Sequence, residues 1–205
     1  MLYIFDEINL IDDELYKSMI SLLSEERISK IKRLGTPLKQ KASAMAYLLL
    51  RIALFKDFGI DEAVIFKFAD NGKPLLNDFS HLYFNLSHSK DAAACAVSEV
   101  EVGVDVQIIK PITDKLAKRV LTPHEYASFK ESPDPEDYFF RIWVIKESFI
   151  KKTGHGLAAE LRAIEADEIK NITIFKNKDY YYSLCGPEMQ VKHIRREDIE
   201  HFCNR

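Results

Sequence analysis

Residues 137–154 read DYFFRIWVIKESFIKKTG, and this stretch decides how the second half of the chain folds. Its apolar side chains fall on one face of an α-helix, which is the pattern of a helix that packs against a core. Gly154 follows the last turn, and glycine commonly ends helices because it adopts the left-handed conformation without strain. The stretch therefore predicts a long amphipathic helix from Asp137 to Thr153.

The first half contains a stretch of the same kind. Residues 38–59 read LKQKASAMAYLLLRIALFKDFG, which predicts a helix from Leu38 to Phe58 that also ends at a glycine. Short segments with strand character follow each helix, within residues 63–107 and 164–184. We therefore predict an α+β fold of two similar subdomains, residues 1–101 and 102–205, packed against each other.

The composition is that of a folded globular protein. The 205 residues include 29 Lys or Arg and 32 Asp or Glu, for a formal net charge of −3, and 47% are hydrophobic. These values argue against a disordered chain and against a general nucleic-acid binder. The apolar runs are far shorter than the ~20 residues that cross a bilayer, and the acidic N-terminus does not resemble a secretory signal. We predict a cytoplasmic protein without a membrane segment.

The cysteines and one basic segment indicate which kinds of binding site the chain could have. The three cysteines are widely spaced and form no Cys-x-x-Cys pair, which indicates neither a disulfide framework nor a zinc site. Between residues 27 and 41 the chain has six basic residues and no acidic one. Such a segment could hold phosphate groups, or it could be the solvated face of a basic helix. The six are Arg27, Lys30, Lys32, Arg33, Lys39 and Lys41.

Asp105 and Gln107 lie two residues apart in a short strand, Gly103-Val104-Asp105-Val106-Gln107. Alternate residues of a strand share a face, so the acid and the amide point to the same side while the valines point into the core. Side-chain oxygens in this arrangement suit a hard cation such as Mg²⁺. The pattern also fits a strand end with a polar face turned to solvent.

Glu147 lies within the apolar face of the 137–154 helix. A carboxylate in such surroundings must be paired, protonated or bound to a metal, because an unpaired buried charge is costly. Lys151 is one turn further along, so the alternative is an ordinary surface ion pair worth ~0.3–0.5 kcal/mol. We favour a functional site for these two residues.

Two further segments have polar groups at strand ends or turns. Ser87-His88-Ser89 offers hydroxyl groups and an imidazole that can hold a phosphate oxygen. A Ser-His catalytic pair is disfavoured because neighbours on a strand point to opposite faces. Asn71-Gly72-Lys73-Pro74 is by itself an ordinary hairpin turn, with Lys73 exposed.

These motifs, in this order, resemble the Sfp-type (group II) class of 4'-phosphopantetheinyl transferases. The resemblance covers roughly residues 27–157 and implies a monomer of two α+β subdomains related by a pseudo-twofold axis. It also implies that coenzyme A and Mg²⁺ bind in the cleft between the subdomains. The motifs are Gly72-Lys73-Pro74, Phe84-Asn85-Leu86-Ser87-His88-Ser89, Gly103-Val104-Asp105-Val106-Gln107, and Trp143 to Lys151 followed by Gly154-His155-Gly156-Leu157.

The resemblance implies transfer of the phosphopantetheine arm of coenzyme A to a serine of an apo acyl or peptidyl carrier protein, with release of 3',5'-ADP. Fatty acid, polyketide and non-ribosomal peptide synthesis are all open as the pathway served. By position, the expected metal ligands are Asp105, Gln107 and Glu147, and the expected catalytic residues are Glu147, Lys151 and His88. The expected coenzyme A contacts are Arg27, Lys30, Lys41, Lys73, Ser87, His88 and Lys151.

Gln107 is a departure from the family, which usually has an acid at this position. An amide oxygen can still bind Mg²⁺ or a bound water, but it adds no negative charge and cannot act as a base. We therefore assign proton removal to Glu147 and expect weaker Mg²⁺ binding. The alternatives are a catalytically impaired coenzyme A or carrier-protein binder, and a nucleic-acid binder that uses the basic segment.

Overall fold

The structure is a computed structural model, and it describes residues 1–154 and 161–205. Part of the last motif, His155-Gly156-Leu157, lies outside the described residues. The helices are α1 (Asp13–Ser21), α2 (Glu25–Lys32), α3 (Pro37–Phe58), α4 (Asp114–Val120), α5 (Pro123–Glu131), α6 (Pro135–Thr153) and α7 (Arg196–Cys203). The strands are β1 (Leu2–Phe5), β2 (Phe66–Phe68), β3 (Pro74–Leu76), β4 (Tyr83–Ser89), β5 (Ala92–Ser98), β6 (Gly103–Ile108), β7 (Ile172–Asn177), β8 (Tyr180–Cys185) and β9 (Val191–His193).

The two long helices begin and end where local sequence signals place them. The α3 helix starts after Thr36, whose side chain accepts a hydrogen bond from the Lys39 amide, and it ends at Gly59. The α6 helix starts at Pro135, two residues earlier than predicted, because Asp134 caps it. Gly59 and Gly154 have φ angles of 67° and 71°, in the left-handed region that favours glycine. Both predicted glycine stops are confirmed.

The described strands form three sheets, with the orders β4-β5-β1-β9, β2-β3 and β6-β8-β7. The β9 strand pairs in parallel with β1, so the end of the chain returns to the sheet of the first half. The α7 helix follows it and buries Ile199 and Phe202 in the same core as α3. The β1, β9 and α7 elements were not predicted from the sequence.

Hydrophobic cores surround each long helix and also fill the space between the sheets. One core contains Tyr47 of α3 and a second contains Phe139 of α6, and both side chains are fully buried. The third core joins Ile4 of β1 to Val104 of β6 and Tyr182 of β8, which come from the two different sheets. These contacts pack the sheets against each other and bring β4 next to β6.

The predicted α+β class is confirmed by this mixture of helices and sheets. The boundary at residues 101 and 102, and the pseudo-twofold relation, stay predictions. No helix in residues 1–154 or 161–205 is long and apolar enough to cross a membrane.

Candidate functional site

Asp105 is the centre of a polar cluster on β6, and only 1% of its surface is exposed. One carboxylate oxygen, Oδ1, accepts hydrogen bonds from Ser87 Oγ at 2.8 Å and from Lys151 Nζ at 2.6 Å. The other, Oδ2, accepts from Gln107 Nε2 at 3.0 Å. A buried carboxylate is stable here because each oxygen has a donor and one donor is charged.

Ser87 uses all of its hydrogen-bonding capacity inside the protein. Its hydroxyl donates to Asp105 and accepts from Lys151 Nζ at 2.9 Å and from the Val106 amide at 3.2 Å. A serine hydroxyl has one proton and two acceptor sites, so no group remains for a ligand in this arrangement. Ser87 therefore supports Asp105 and Lys151, whereas the sequence indicated a direct contact with coenzyme A.

Glu147 lies one turn before Lys151 on α6 and is half-buried. Burial raises the pKa of its carboxyl group, and the negative charge of Asp105 raises it further, against the opposing effects of Lys151 and Trp143. The two negative charges therefore repel each other. Such a pair attracts a cation, because a positive charge between them relieves both the repulsion and the loss of hydration.

Gly103 makes this arrangement sterically feasible. A Cβ atom at Gly103 would lie 1.9 Å from the carbonyl oxygen of Ser148 and 2.4 Å from the amide nitrogen of Lys152. Strand β6 therefore runs in direct backbone contact with α6, which only glycine permits. Because Asp105 is two residues further along β6, the contact places it beside Lys151.

His88 follows Ser87 on β4, and its side chain points to the exposed side of the strand. Partial burial of the ring lowers the pKa of His88, and the positive charges of Lys151 and Arg27 lower it further. The negative charge of Asp105 raises this pKa, but its effect is smaller. His88 is therefore under the electrostatic influence of the carboxylate cluster and of Arg27 on α2. In a neutral imidazole, one ring nitrogen donates a hydrogen bond and the other accepts one.

Arg27 on α2 is a half-buried cationic side chain. Its Nη2 atom donates to the Ser43 carbonyl at 3.2 Å and to Ser43 Oγ at 3.0 Å, and its guanidinium lies 5.6 Å from the centre of the Tyr47 ring. Its Nε atom is buried and has no hydrogen-bond partner among the described residues. Burial also lowers the pKa of Arg27. An unpartnered buried donor favours an anionic ligand.

Lys30 lies one turn after Arg27 and lines the same small cavity. Its ammonium group is 2.7 Å from Glu26 and 4.8 Å from the centre of the Phe68 ring. Lys30 is thus near Arg27, as the sequence predicted, but it is already paired with an exposed carboxylate. An exposed pair of this kind is weak and can exchange for a phosphate.

Lys73 is half-buried, so the prediction of an exposed turn residue is wrong. Its ammonium group donates to the carbonyl oxygen of Lys152, in the last turn of α6. A Cβ atom at Gly154 would lie 2.3 Å from the side-chain nitrogen of Asn71, so the turn packs tightly on the helix end. Burial lowers the pKa of Lys73. A cation at a helix C-terminus complements the helix dipole.

Lys41 on α3 contacts the segment that leads into α1. Its ammonium group donates to the carbonyl oxygen of Ile11 at 2.6 Å and is 3.6 Å from Asp13. Both partners belong to the segment that leads into α1. None of its contacts within residues 1–154 and 161–205 reaches Arg27 or the carboxylate cluster.

Sequence reasoning assigned no role to Lys146, which is fully buried next to Glu147. Its ammonium group donates to the carbonyl oxygens of Val120 at 3.1 Å and Leu161 at 2.9 Å and to the Glu125 carboxylate. Glu125 also accepts from the Ala166 amide at 2.9 Å. This network fixes α6 to its neighbours and so holds Glu147 in place, but no local sequence signal links residues so far apart.

The donor atoms fit a hard cation better than a soft one. Asp105 and Glu147 supply carboxylate oxygens, and Gln107 uses its amide nitrogen toward Asp105, which leaves its oxygen for a cation or a water. Within the described ranges, no group of three or more His, Cys, Asp and Glu side chains could hold a metal. With two carboxylates and one amide oxygen as its ligands, a cation bound here would keep several waters, as Mg²⁺ commonly does.

The chain is similar to known proteins over most of its length. Residues 101–193 match the model of the 4'-phosphopantetheinyl transferase superfamily. A 4'-phosphopantetheinyl transferase of Bacillus subtilis is 36% identical over 146 residues, which cover 70% of this chain and 65% of the relative. The 4'-phosphopantetheinyl transferase psf-1 of Bacillus pumilus is 32% identical over 163 residues, 76% of this chain and 70% of the relative.

A third relative extends the match. The 4'-phosphopantetheinyl transferase gsp of Aneurinibacillus migulanus is 30% identical over 186 residues, 88% of this chain and 78% of that protein. The chain spans 65% of the length of two Bacillus subtilis relatives, among them Sfp. The expected resemblance is thus confirmed, and the chain belongs to the 4'-phosphopantetheinyl transferase family.

Proposed function

We propose that this chain transfers the 4'-phosphopantetheine group of coenzyme A to a serine of an apo acyl or peptidyl carrier protein and releases 3',5'-ADP. The observation that carries the proposal is the buried contact of Asp105 with Lys151 and Ser87, beside Glu147 on the same helix as Lys151. This cluster lies where β4, β6 and α6 meet, and the three relatives described above are all named for the same transfer.

Coenzyme A is an anion with a diphosphate and a 3'-phosphate, and the chain offers separate cations for each. Arg27 and Lys30 suit the 3'-phosphate, because the Arg27 Nε atom has no hydrogen-bond partner within residues 1–154 and 161–205, and Lys30 lines the same cavity. Lys151 and His88 would contact the diphosphate. Lys73 would hold the nucleotide from the adjacent turn. Lys41 is not part of the proposed site, because its ammonium group contacts Ile11 and Asp13, in the segment that leads into α1.

The proposed metal is Mg²⁺, held by Asp105 and Glu147, with Gln107 as a ligand through its oxygen or through a water. When bound, it would neutralise charge on the two phosphates between which the bond breaks. The fit rests on the repulsion between the two carboxylates, which a divalent cation would relieve. Lys151 would then shift its ammonium group from Asp105 toward a phosphate oxygen.

In the proposed reaction, the carrier serine oxygen attacks the phosphorus that bears the pantetheine arm. A new oxygen–phosphorus bond forms, and the bond to the other phosphate breaks in line with it. Glu147 accepts the proton of the serine hydroxyl as the general base. Lys151 and His88 stabilise the negative charge that develops on the leaving 3',5'-ADP. Positioning and charge compensation supply most of the rate.

The direct test is mass spectrometry of purified apo carrier proteins after incubation with the chain, coenzyme A and Mg²⁺. We expect a gain of one phosphopantetheine group per carrier, and no gain when the carrier serine is replaced by alanine. Coenzyme A binding without any gain of mass, across carriers of fatty acid, polyketide and peptide synthesis, would favour the impaired binder instead. A binder of nucleic acid is disfavoured because the formal net charge of the chain is −3.

We expect the chain to act in the cytoplasm. We also expect it to act as a monomer, because residues from both halves of one chain complete the site. Sedimentation of the protein with and without coenzyme A measures its oligomeric state. A dimer that forms only with coenzyme A would show that a second copy completes the site.

Gln107→Glu is expected to tighten Mg²⁺ binding by on the order of 10-fold, because it adds a carboxylate beside Asp105 and Glu147. Without the metal, the variant should melt at a lower temperature, since it replaces the hydrogen bond from Gln107 Nε2 to Asp105 with a like charge. Titration calorimetry of Mg²⁺ with coenzyme A present measures the first effect. Unchanged Mg²⁺ affinity would exclude Gln107 from the metal site.

A further inference from the structure

Strands β4 and β6 lie side by side, but they belong to different sheets and no strand pairing joins them. Each is the edge strand of its sheet, at the ends of the orders β4-β5-β1-β9 and β6-β8-β7. Three side chains of β4 instead accept hydrogen bonds from three backbone amides of β6. The distances are 2.9 Å from the Val104 amide to Asn85 Oδ1, 3.2 Å from the Val106 amide to Ser87 Oγ, and 3.2 Å from the Ile108 amide to Ser89 Oγ.

These three bonds form a regular ladder. Each joins a residue of β4 to the residue 19 positions later, so the strands run parallel and in one register. Alternate side chains of a strand share a face, which explains why every second residue of β4 carries an acceptor. The β6 strand pairs with β8 on its other side, so every second amide points outward and needs an acceptor in this buried position.

The ladder is directly connected to the carboxylate cluster. Its middle rung, Ser87, also donates to Asp105 Oδ1 and accepts from Lys151. Asp105 lies between the two amides that bind Asn85 and Ser87. A change in the spacing of β4 and β6 would therefore move Asp105 relative to Ser87 and His88, which lie on β4.

We propose that Asn85 and Ser89, the outer rungs, are positioning residues that hold β6 at a fixed distance and register from β4. They do not touch the reacting atoms. They act through β6 by keeping Asp105 in line with Lys151 and His88. The effect on catalysis rests on the proposed function, whereas the ladder itself is a property of the protein without ligands.

Ser89→Ala removes one rung and leaves the cluster residues unchanged. We expect faster hydrogen exchange of the Ile108 amide in the ligand-free protein, by about 10-fold or more. We also expect kcat to fall by ~10- to 100-fold, because small displacements of aligned groups are costly, while KM for coenzyme A changes less. Asn85→Ala should act likewise, with the exchange effect at the Val104 amide.

Two further variants separate positioning from general stabilisation. Ser89→Thr keeps the hydroxyl and should restore both amide protection and kcat. Ser132→Ala removes a serine that accepts from the Asp134 amide at 3.3 Å on an exposed loop, so it is a control for the same chemical change far from the ladder. It should leave kcat and the exchange of Ile108 unchanged.

Amide exchange needs no catalysis, so it tests the ladder even if the chain proves to transfer nothing. Unchanged exchange of Ile108 in Ser89→Ala and of Val104 in Asn85→Ala would show that the ladder does not hold the strands. Faster exchange with normal kcat would show that it holds the strands but does not position Asp105. Either result overturns the proposal, and failure of transfer in the wild-type protein alone would overturn only the proposed function.

Discussion

Gly103→Ala is expected to lower the stability of the protein by about 3 kcal/mol, which corresponds to a fall of ~6–12 °C in Tm for a chain of this size. The added methyl group would lie 1.9 Å from the Ser148 carbonyl oxygen and 2.4 Å from the Lys152 amide nitrogen. Both are backbone atoms, so no side-chain rotation can relieve the overlap. Strand β6 must therefore move away from α6.

The same movement should remove most of the activity. Asp105 is on β6 and Lys151 is on α6, and their contact of 2.6 Å cannot survive separation of the two elements. We expect transfer to fall by at least ~100-fold, because the groups that bind the diphosphate lose their alignment. Thermal unfolding and the carrier mass assay measure the two effects.

Gly35→Ala is the matched control for this variant. A Cβ atom at Gly35 has no heavy atom within 4 Å, and its φ is not in the left-handed region. This substitution should leave both Tm and transfer close to the wild-type values. If Gly103→Ala also melted within about 2 °C of the wild type, the stability of the protein would not depend on the close approach of β6 to α6.

The long helices could be predicted because their signals are local. The apolar faces of α3 and α6 repeat within each helix, and the glycines that end them are adjacent in sequence. The same holds for β6, where the alternation of Asp105 and Gln107 with buried valines gave the correct faces.

The elements that were missed depend on partners far away in the chain. Strand β1 has four residues and β9 has three, too few for a clear alternation. Strand β1 is stable because it pairs with β5 and β9, and β9 is stable because it pairs with β1, across nearly the whole length of the sequence. Nothing in Val191–His193 alone distinguishes a strand from a loop.

The site shows the same division between local and distant information. The types and order of its residues were predicted from their motifs, but their partners were not. Lys151 is one turn from Glu147, yet its hydrogen bonds go to Asp105, 46 residues away, and to Ser87, 64 residues away. The burial of Lys73 likewise depends on the end of α6, which the turn sequence does not reveal.

Glu147→Gln is expected to abolish transfer, with a loss of at least ~1,000-fold, because the amide cannot accept the serine proton and is a poorer ligand for a cation. The side chain keeps its size, so the fold should be preserved. In the ligand-free protein, we expect the variant to be more stable than the wild type at neutral pH. A gain of about 1 kcal/mol would raise Tm by ~2–4 °C.

The sign of this stability change follows from the raised pKa of Glu147. The folded protein holds the Glu147 proton more tightly than the unfolded chain does, because the ionised group is poorly hydrated and is repelled by Asp105. Its favourable contribution is therefore complete below the ordinary glutamate pKa of 4.5 and is lost as the pH rises through the raised value. Glutamine mimics the protonated form, so the stabilisation by Glu147→Gln should be present at neutral pH and disappear in acid.

Unfolding measured from acid to neutral pH, with and without Mg²⁺ and coenzyme A, tests both parts of this prediction. With the ligands, the order should reverse, since only the wild type has the carboxylate that binds a cation. Glu62→Gln, at an exposed position, is the control and should change neither stability nor transfer. A Glu147→Gln variant that is less stable than the wild type at neutral pH and still modifies the carrier would contradict both the electrostatic strain and the role of Glu147 as base.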